Sequence, residues 1–353
     1  MHGLFRSILI PSLFCLSFNS FADKAPSNSW TFTLRFENDL FAQTDQYYTN
    51  GIKLNWISPD LDWFRELPWL KKDEAVQNGI DRILKQLPYS EDTSRQRHVS
   101  LSVGQLLYTP ADIKSRDLIP DDRPYAGWLY GSAAFHSKTF FRLDTFEILA
   151  GFTGKWSLGE ETQNFVHSLR GIDTAKGWDN QLNTEFDFSF IYDHKHRYIP
   201  HLPFGDHWGV DVITNYGAAL GTAFTHASAG FEVRAGWNLP ADFGTALIRP
   251  AGDTSAPANR KDPRYQDKFR SLSFHVFAAA TGRLVIRDLF LDGNTFSDSH
   301  SVEKENLVGD FAVGASISYR RVKLSYAHVL RTREFKGQPR VQQFGSISLS
   351  YTY

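Results

Sequence analysis

The chain has 353 residues, and 38 Lys and Arg stand against 39 Asp and Glu, for a formal net charge of −1. That balance leaves no cationic footprint for a nucleic-acid partner, and a single cysteine excludes a disulfide-built scaffold. Aromatic residues reach 15%, yet no segment approaches the ~18 continuous apolar residues of a spanning helix.

The chain opens MHGLFRSILIPSLFCLSFNSFADK. His2 and Arg6 are weakly basic, Ile8 to Phe18 form a short apolar core, and Ser20-Phe21-Ala22 is a small-x-small cleavage signal. This pattern predicts a secretory signal peptide over residues 1–22 and one exported domain over 23–353. Phe14 is too bulky for a lipoprotein signal at Cys15. The cysteine is therefore expected to leave with the signal, and the mature chain is expected to have none.

Beyond it, period-2 patterning dominates. Trp30, Phe32, Leu34 and Phe36 share one face; Thr31, Thr33, Arg35 and Glu37 share the other. Ile52, Leu54 and Trp56 alternate with Gly51, Lys53 and Asn55. Phe311 to Tyr319, Val322 to Tyr326 and the terminal GSISLSYTY repeat the pattern. Apolar side chains outward and small polar ones inward are what a lipid-bathed barrel wall requires. Twelve strands are predicted, at 28–38, 50–58, 97–107, 126–138, 141–153, 181–194, 207–220, 225–238, 268–282, 307–320, 322–330 and 343–353. The fold class is thus an all-β transmembrane antiparallel barrel with a short helix in an outer loop. LVIRDLFLDG (284–293) is assigned to a loop. With both termini periplasmic, 136–141 and 319–322 become tight inner turns, and 39–49, 108–125, 154–180 and 283–306 become outer loops. Segment 59–96 has helical spacing, and 250–264 reads as plain inner loop.

Polar residues gather where the outer loops begin. Strand one ends Glu37-Asn38-Asp39, and strand two begins Thr49-Asn50-Gly51. Alternation aims Asn38 outward, where an unpaired carboxamide is costly and points to a lipid headgroup or its ester. EETQNFVHSLR (160–170) has helical spacing with Gly171 as a C-terminal stop. It carries His167, the only histidine of that loop and a candidate general base. DDRPYAGWLY (121–130) offers Arg123 to a phosphate and Trp128 and Tyr130 to an interfacial girdle. HKHRYIPHLPFGDH (194–207) has the look of a metal site but falls at the inner rim and reads as a solvated turn. No GxSxG, HExxH, P-loop or GxGxxG motif is present, which moves a hydrolase reading from an acyl-enzyme serine toward activated water.

FENDLF (36–41), YYTNGIKL (47–54), RPYAGWLY (123–130), VHSLRG (166–171) with GWDNQL (177–182), and FLDGNTF (290–296) together resemble the outer-membrane lipid A 3′-O-deacylases. The resemblance implies a twelve-stranded barrel of the bacterial outer membrane that removes the 3′-acyloxyacyl chain of lipid A or lipopolysaccharide. It implies Ca2+ as cofactor, histidine-activated water, outer-membrane lipids as surroundings, no nucleic acid, and a monomer. Carried onto this chain, the catalytic residues are His167, Asn38, Asp39 and Thr49, and the calcium ligands Asp39 and Asp173. Two other readings compete: a non-catalytic barrel such as a porin or scaffold, and a phospholipase whose serine and histidine come from HASAG (226–230).

Overall fold

Alternating residues cannot bury both faces in one core, so the chain closes a sheet on itself. The structure, a computed structural model, describes residues 29–39, 46–61, 78–79, 82, 85–86, 92, 94–199, 207–245, 247–248, 255–259, 262–266 and 271–353. The expected signal peptide, and most of the helix expected within 59–96, lie outside these residues. Twelve strands follow in order: β1 (Thr31–Asn38), β2 (Tyr47–Ile57), β3 (Gln96–Thr109), β4 (Ala126–Lys138), β5 (Arg142–Thr153), β6 (Phe186–Tyr198), β7 (Trp208–Gly221), β8 (Phe224–Trp237), β9 (Ser273–Asp288), β10 (Leu307–Tyr319), β11 (Val322–Arg331) and β12 (Gln342–Thr352). Each pairs antiparallel with the next, and β1 closes on β12 from Thr31 opposite Thr352 to Asn38 opposite Gly345. Closure leaves no edge, so strand N–H and C=O groups find partners without water.

The twelve expected strands are all present. LVIRD is a correction: it is no loop but the end of β9, which runs to Asp288 and continues into the short helix α2 (Leu289–Asp292). The strand count stays even because β9 lengthens rather than a new strand forming. The tight turn Arg320-Arg321 and the short connection 139–141 lie at the end where Trp30 and Tyr353 exchange backbone hydrogen bonds of 2.9 Å. Asp39 and Gln46 and the connections 110–125, 154–185, 289–306 and 332–341 lie at the other, outer end. Leu101, Val103, Ile148, Phe190, Val276 and Leu284 leave large apolar surfaces on the outside of the wall, as a bilayer demands.

Inside, the lumen differs from the sequence expectation. Its outer half is aromatic rather than wet. Tyr48, Tyr108, Trp128, Tyr130, Phe224, Phe290 and Phe344 form one buried cluster. Trp128 and Tyr130, expected in an interfacial girdle, stack inside it with centroids 4.5 Å apart. Both faces of that part of β4 are apolar, so alternation alone did not say which one faced lipid. Arg123 is likewise not offered to a phosphate: it is buried, donates to Glu334 at 3.2 Å and lies over the Tyr108 ring.

The connection between β8 and β9 is not a plain inner loop. Its described residues enter the barrel. Thr33 meets Ser255 at 3.0 Å, Lys138 Nζ donates to the Pro257 carbonyl at 2.9 Å, and the Ile248 N–H donates to Glu37 at 2.7 Å. Asp242 is the hub of this inserted segment, accepting from Arg234 (2.5 Å), Lys323 (2.6 Å) and Arg264 (3.1 Å). Burial, the largest influence on its carboxyl, pushes the pKa up; those three cations together outweigh it and hold the group well below the usual carboxylate range.

Candidate active site at the outer end of the wall

The polar residues singled out at the start of the chain sit where β1 and β2 reach the outer rim. Asn38 pairs across to Asn50, and Asn50 to Leu107 of β3, which pairs to Gly127 of β4. All four are in the outward phase of their strands, so they form one lateral row on the outside of the wall. Asn38 and Asn50 are nevertheless only 2% and 6% exposed. Outward residues at a rim that are this buried are covered by other parts of the chain.

Part of the cover is visible. The helix α1 (Gly159–Arg170) rests on β3 and β4. Its start sits on the row: a Cβ at Gly127 would lie 3.2 Å from the Gly159 Cα, and one at Gly159 would lie 3.2 Å from Leu107 Cδ2. Gln105, one step below Leu107, donates to the Ser157 carbonyl at 2.6 Å and so ties the wall to the turn before the helix. Gly159, Gln163 and His167, at spacing i, i+4, i+8, form the buried stripe of α1. Trp178, packed with Leu107 and Tyr125, donates its indole N–H to Gln163 at 2.8 Å.

His167 is 3% exposed. The helix ends as the sequence indicates: Gly171 adopts φ 67°, and Ile172 N–H donates to the His167 carbonyl at 3.1 Å. A left-handed residue at this place suits glycine. The reversal brings the Asp173 carbonyl to 2.6 Å from His167 Nδ1. A carbonyl can only accept, so Nδ1 carries the hydrogen and Nε2 is the basic nitrogen of the neutral ring.

Thr49 occupies a bulge. Tyr47 has φ 68°, and the pairing of β2 with β3 shifts between Tyr48 and Asn50. Simple alternation would aim Thr49 into the lumen with Gly51 and Lys53. The extra residue instead turns its hydroxyl to Thr109, in the phase of Leu107, at 2.8 Å. Asp39 is fully buried, and its Oδ2 accepts from the Gln46 N–H at 2.6 Å, closing the loop whose residues 40–45 lie outside the described ones. On the lumen side, Glu37 braces the same rim, accepting from Tyr48 Oη at 2.8 Å, from Ile248 N–H and from Ser346 Oγ at 3.2 Å.

The two expected calcium ligands have different surroundings. Asp39 is a buried carboxylate and suits a hard cation. The Asp173 carboxylate is 77% exposed and lies 3.7 Å from Lys114 Nζ, while its backbone carbonyl holds His167. Among the described residues no group of three His, Cys, Asp or Glu side chains gathers into a metal cluster. Asp39, as a buried carboxylate, fits a cation, and the Asp173 carboxylate is turned to solvent beside Lys114.

Other sequence candidates fall elsewhere. His226 and Ser228 lie on the inward phase of β8 and are buried, so a serine-histidine pair there would face the lumen rather than lipid. His194 to Tyr198 belong to β6, and His194 Nδ1 lies 2.7 Å from Asp144; residues 200–206 of that stretch are not among those described. Sequence reasoning missed Thr109, Gln105 and Gln163. The Gly159, Gln163, His167 spacing was legible as a stripe opposite Phe165 and Leu169; the Thr49–Thr109 pair was not, because a bulge leaves no local signal.

A closed antiparallel barrel of twelve strands with an apolar outer surface, and with a helix resting on the outside of its wall at β3 and β4, defines an outer-membrane barrel protein. The chain belongs to the LpxR family of outer-membrane proteins, whose model matches residues 8–353. Among solved structures it is similar to LpxR from Salmonella typhimurium, at a TM-score of 0.67 and 17% identity over 91% of this chain and 99% of that one. The β domain of the Bordetella autotransporter BrkA (TM-score 0.41, 7% identity, 92% and 99% covered) and the translocator of NalP from Neisseria meningitidis (0.34, 8%, 92% and 87%) are also similar in outline. No curated protein sequence matches the chain.

Proposed function

We propose that the protein is a lipid A 3′-O-deacylase that hydrolyses the 3′-acyloxyacyl ester at the outer end of its wall, with His167 as general base toward water. The observation that carries this reading is the burial of His167 on the wall-facing stripe of α1, with Nδ1–H held by the Asp173 carbonyl. That bond fixes the tautomer in which Nε2 takes a proton. Register supports its placement. Three strand spacings from Gly127 to Asn38 span ~14 Å, and the eight residues from Gly159 to His167 rise ~12 Å. A helix that starts on Gly127 and follows the row carries His167 toward Asn38, Asn50 and Thr49, and accounts for the burial of the two asparagines.

In this reading water is deprotonated by His167 as it adds to the ester carbonyl; the tetrahedral adduct then breaks its bond to the sugar 3′-oxygen, and the His167 imidazolium returns the proton to that oxygen, releasing the fatty acid. The Asn38 carboxamide and the Thr49 hydroxyl, steadied by Thr109, supply polar contacts to the ester. Asp39 would hold calcium, with Asp173 as the second expected ligand; when bound, calcium would supply positive charge to the developing oxyanion. The substrate arrives by lateral diffusion in the outer leaflet, and the protein works as a monomer. The aromatic filling of the outer lumen and the segment inserted from the β8–β9 connection argue against a porin.

The test is mass spectrometry of lipid A from cells with and without the protein, joined to fatty-acid release from purified lipid A. Loss of the 3′-acyloxyacyl chain, abolished by His167→Ala and by chelator, is expected. Unchanged lipid A in cells making folded barrel would overturn the reading.

A further inference from the structure

We infer that α1 is clasped between the barrel wall and the outer leaflet, with its apolar side resting in the lipid at the boundary of acyl chains and headgroups. The side opposite Gln163 and His167 carries Phe165 and Leu169, four residues apart on one helical stripe, and the residues flanking the two ends of the helix, Leu158 and Ile172, are exposed apolar ones as well. Phe165 is 62% exposed and Leu169 is 71% exposed. A helix packed on a water-soluble protein shows the reverse, with its apolar stripe inward and its polar stripe outward. Here the polar stripe is buried against the wall and the apolar one has no protein cover among the described residues.

The helix has a third side. Glu160, Glu161, Asn164 and Ser168 fall on one flank, between the wall-facing and apolar stripes. An apolar side joined to a charged flank is the pattern of a helix lying in the plane of a membrane interface, with the charges toward headgroups and water. The apolar side also continues a surface already committed to lipid. Trp156, just before the helix, lies 5.1 Å from the Phe152 ring, and Phe152 lies 5.5 Å from Phe186. Phe152 and Phe186 are on the outward phase of β5 and β6, so one aromatic belt runs from the strands to the turn that leads into the helix. The occupant is thus the lipid of the outer leaflet. The inference does not depend on the proposed reaction, since it rests only on the placement of α1 on an outer-membrane barrel.

Cysteine labelling tests it in the full-length protein, with Cys15→Ser as background so that each new cysteine is alone. Phe165→Cys and Leu169→Cys, and on the charged flank Glu161→Cys and Ser168→Cys, are given a nitroxide and reconstituted in phospholipid vesicles. Native folding of each is checked by heat-dependent gel mobility. Collisions with dissolved oxygen are compared with collisions with a water-soluble nickel chelate. Relative to positions 161 and 168, positions 165 and 169 should favour oxygen over the chelate by about tenfold or more, as expected for side chains out of water. Equal access of the chelate to all four positions would overturn the inference. So would protection at 165 and 169 that disappears when the barrel is diluted in excess lipid, because the cover would then be a second copy of the chain.

Discussion

Gly51 gives the sharpest test of how the lumen shapes the rim. Its φ is not in the left-handed region, so space and not backbone freedom selects glycine here. A methyl group at this position would overlap the Tyr48 hydroxyl and lie 2.8 Å from Ile248 Cδ1. Tyr48 cannot swing away easily, because its ring is held between Tyr108 (centroids 5.4 Å) and Phe344 (5.1 Å). Gly51→Ala must therefore disturb the hydrogen bond from Tyr48 to Glu37, the buried carboxylate that also holds the Ile248 N–H. Losing a hydrogen bond to a charged acceptor costs ~1.5–3 kcal/mol, and forcing a methyl into a filled core costs ~1–3 kcal/mol. Together these give an expected loss of about 2.5–6 kcal/mol, read as a lower denaturant midpoint for the barrel reconstituted in lipid. Tyr48→Phe removes the hydroxyl that clashes, so Gly51→Ala should cost about 1–2 kcal/mol less in that background than in the wild type. Strict additivity of the two substitutions would refute the packing argument.

Four further outcomes follow from the same geometry. His167→Ala should leave a heat-shiftable barrel and reduce fatty-acid release from lipid A by about 100-fold or more, the usual worth of a general base; wild-type rates would remove His167 from the mechanism. Asp39→Asn should weaken the dependence of activity on added calcium, measured by titrating the metal into chelator-treated protein, and an unchanged titration would place the ion elsewhere. Gly171→Val forces a β-branched residue into the left-handed region; a stability loss of about 1 kcal/mol or more is expected, with a larger fall in activity, because the turn that delivers the Asp173 carbonyl to His167 is displaced. For Asp242 the sign follows from its depressed pKa: its stabilisation is complete above the usual carboxylate range and is lost as pH falls through and below that range. Asp242→Asn should be less stable than wild type at neutral pH, and the gap should narrow in acid; a constant gap would mean that the carboxylate's charge is not what Lys323, Arg234 and Arg264 require.

Much of the site was readable as residue type. Asn38, Asp39, Thr49 and His167 were singled out from strand ends and a loop helix, and Gly171 was identified as the helix stop from the end of a periodic run. How they are arranged was not readable. Thr49 was placed at the start of strand two with no partner named, and only the bulge between Tyr48 and Asn50 turns it to Thr109. Asp173 was chosen for its carboxylate, whereas its backbone carbonyl is the group that meets His167. In the first case a one-residue insertion changes the phase without changing composition; in the second every residue has the same backbone group, so sequence cannot single it out.

Period-2 alternation determined the twelve strands and therefore the closed barrel, because side chains on a strand have only two directions to take and the hydrogen bonds of an exported, membrane-crossing sheet must all be met within it. Tertiary structure alone decided what fills the cylinder and what covers its outer rim. Trp128 and Tyr130 turned inward and Arg123 went to Glu334. The described residues of the β8–β9 connection entered the lumen, and α1 set its polar stripe against the wall. Each of these choices depends on partners far apart in the chain, such as Glu37 with Ile248 or Asp242 with Lys323, and such pairings leave no periodic trace in the sequence.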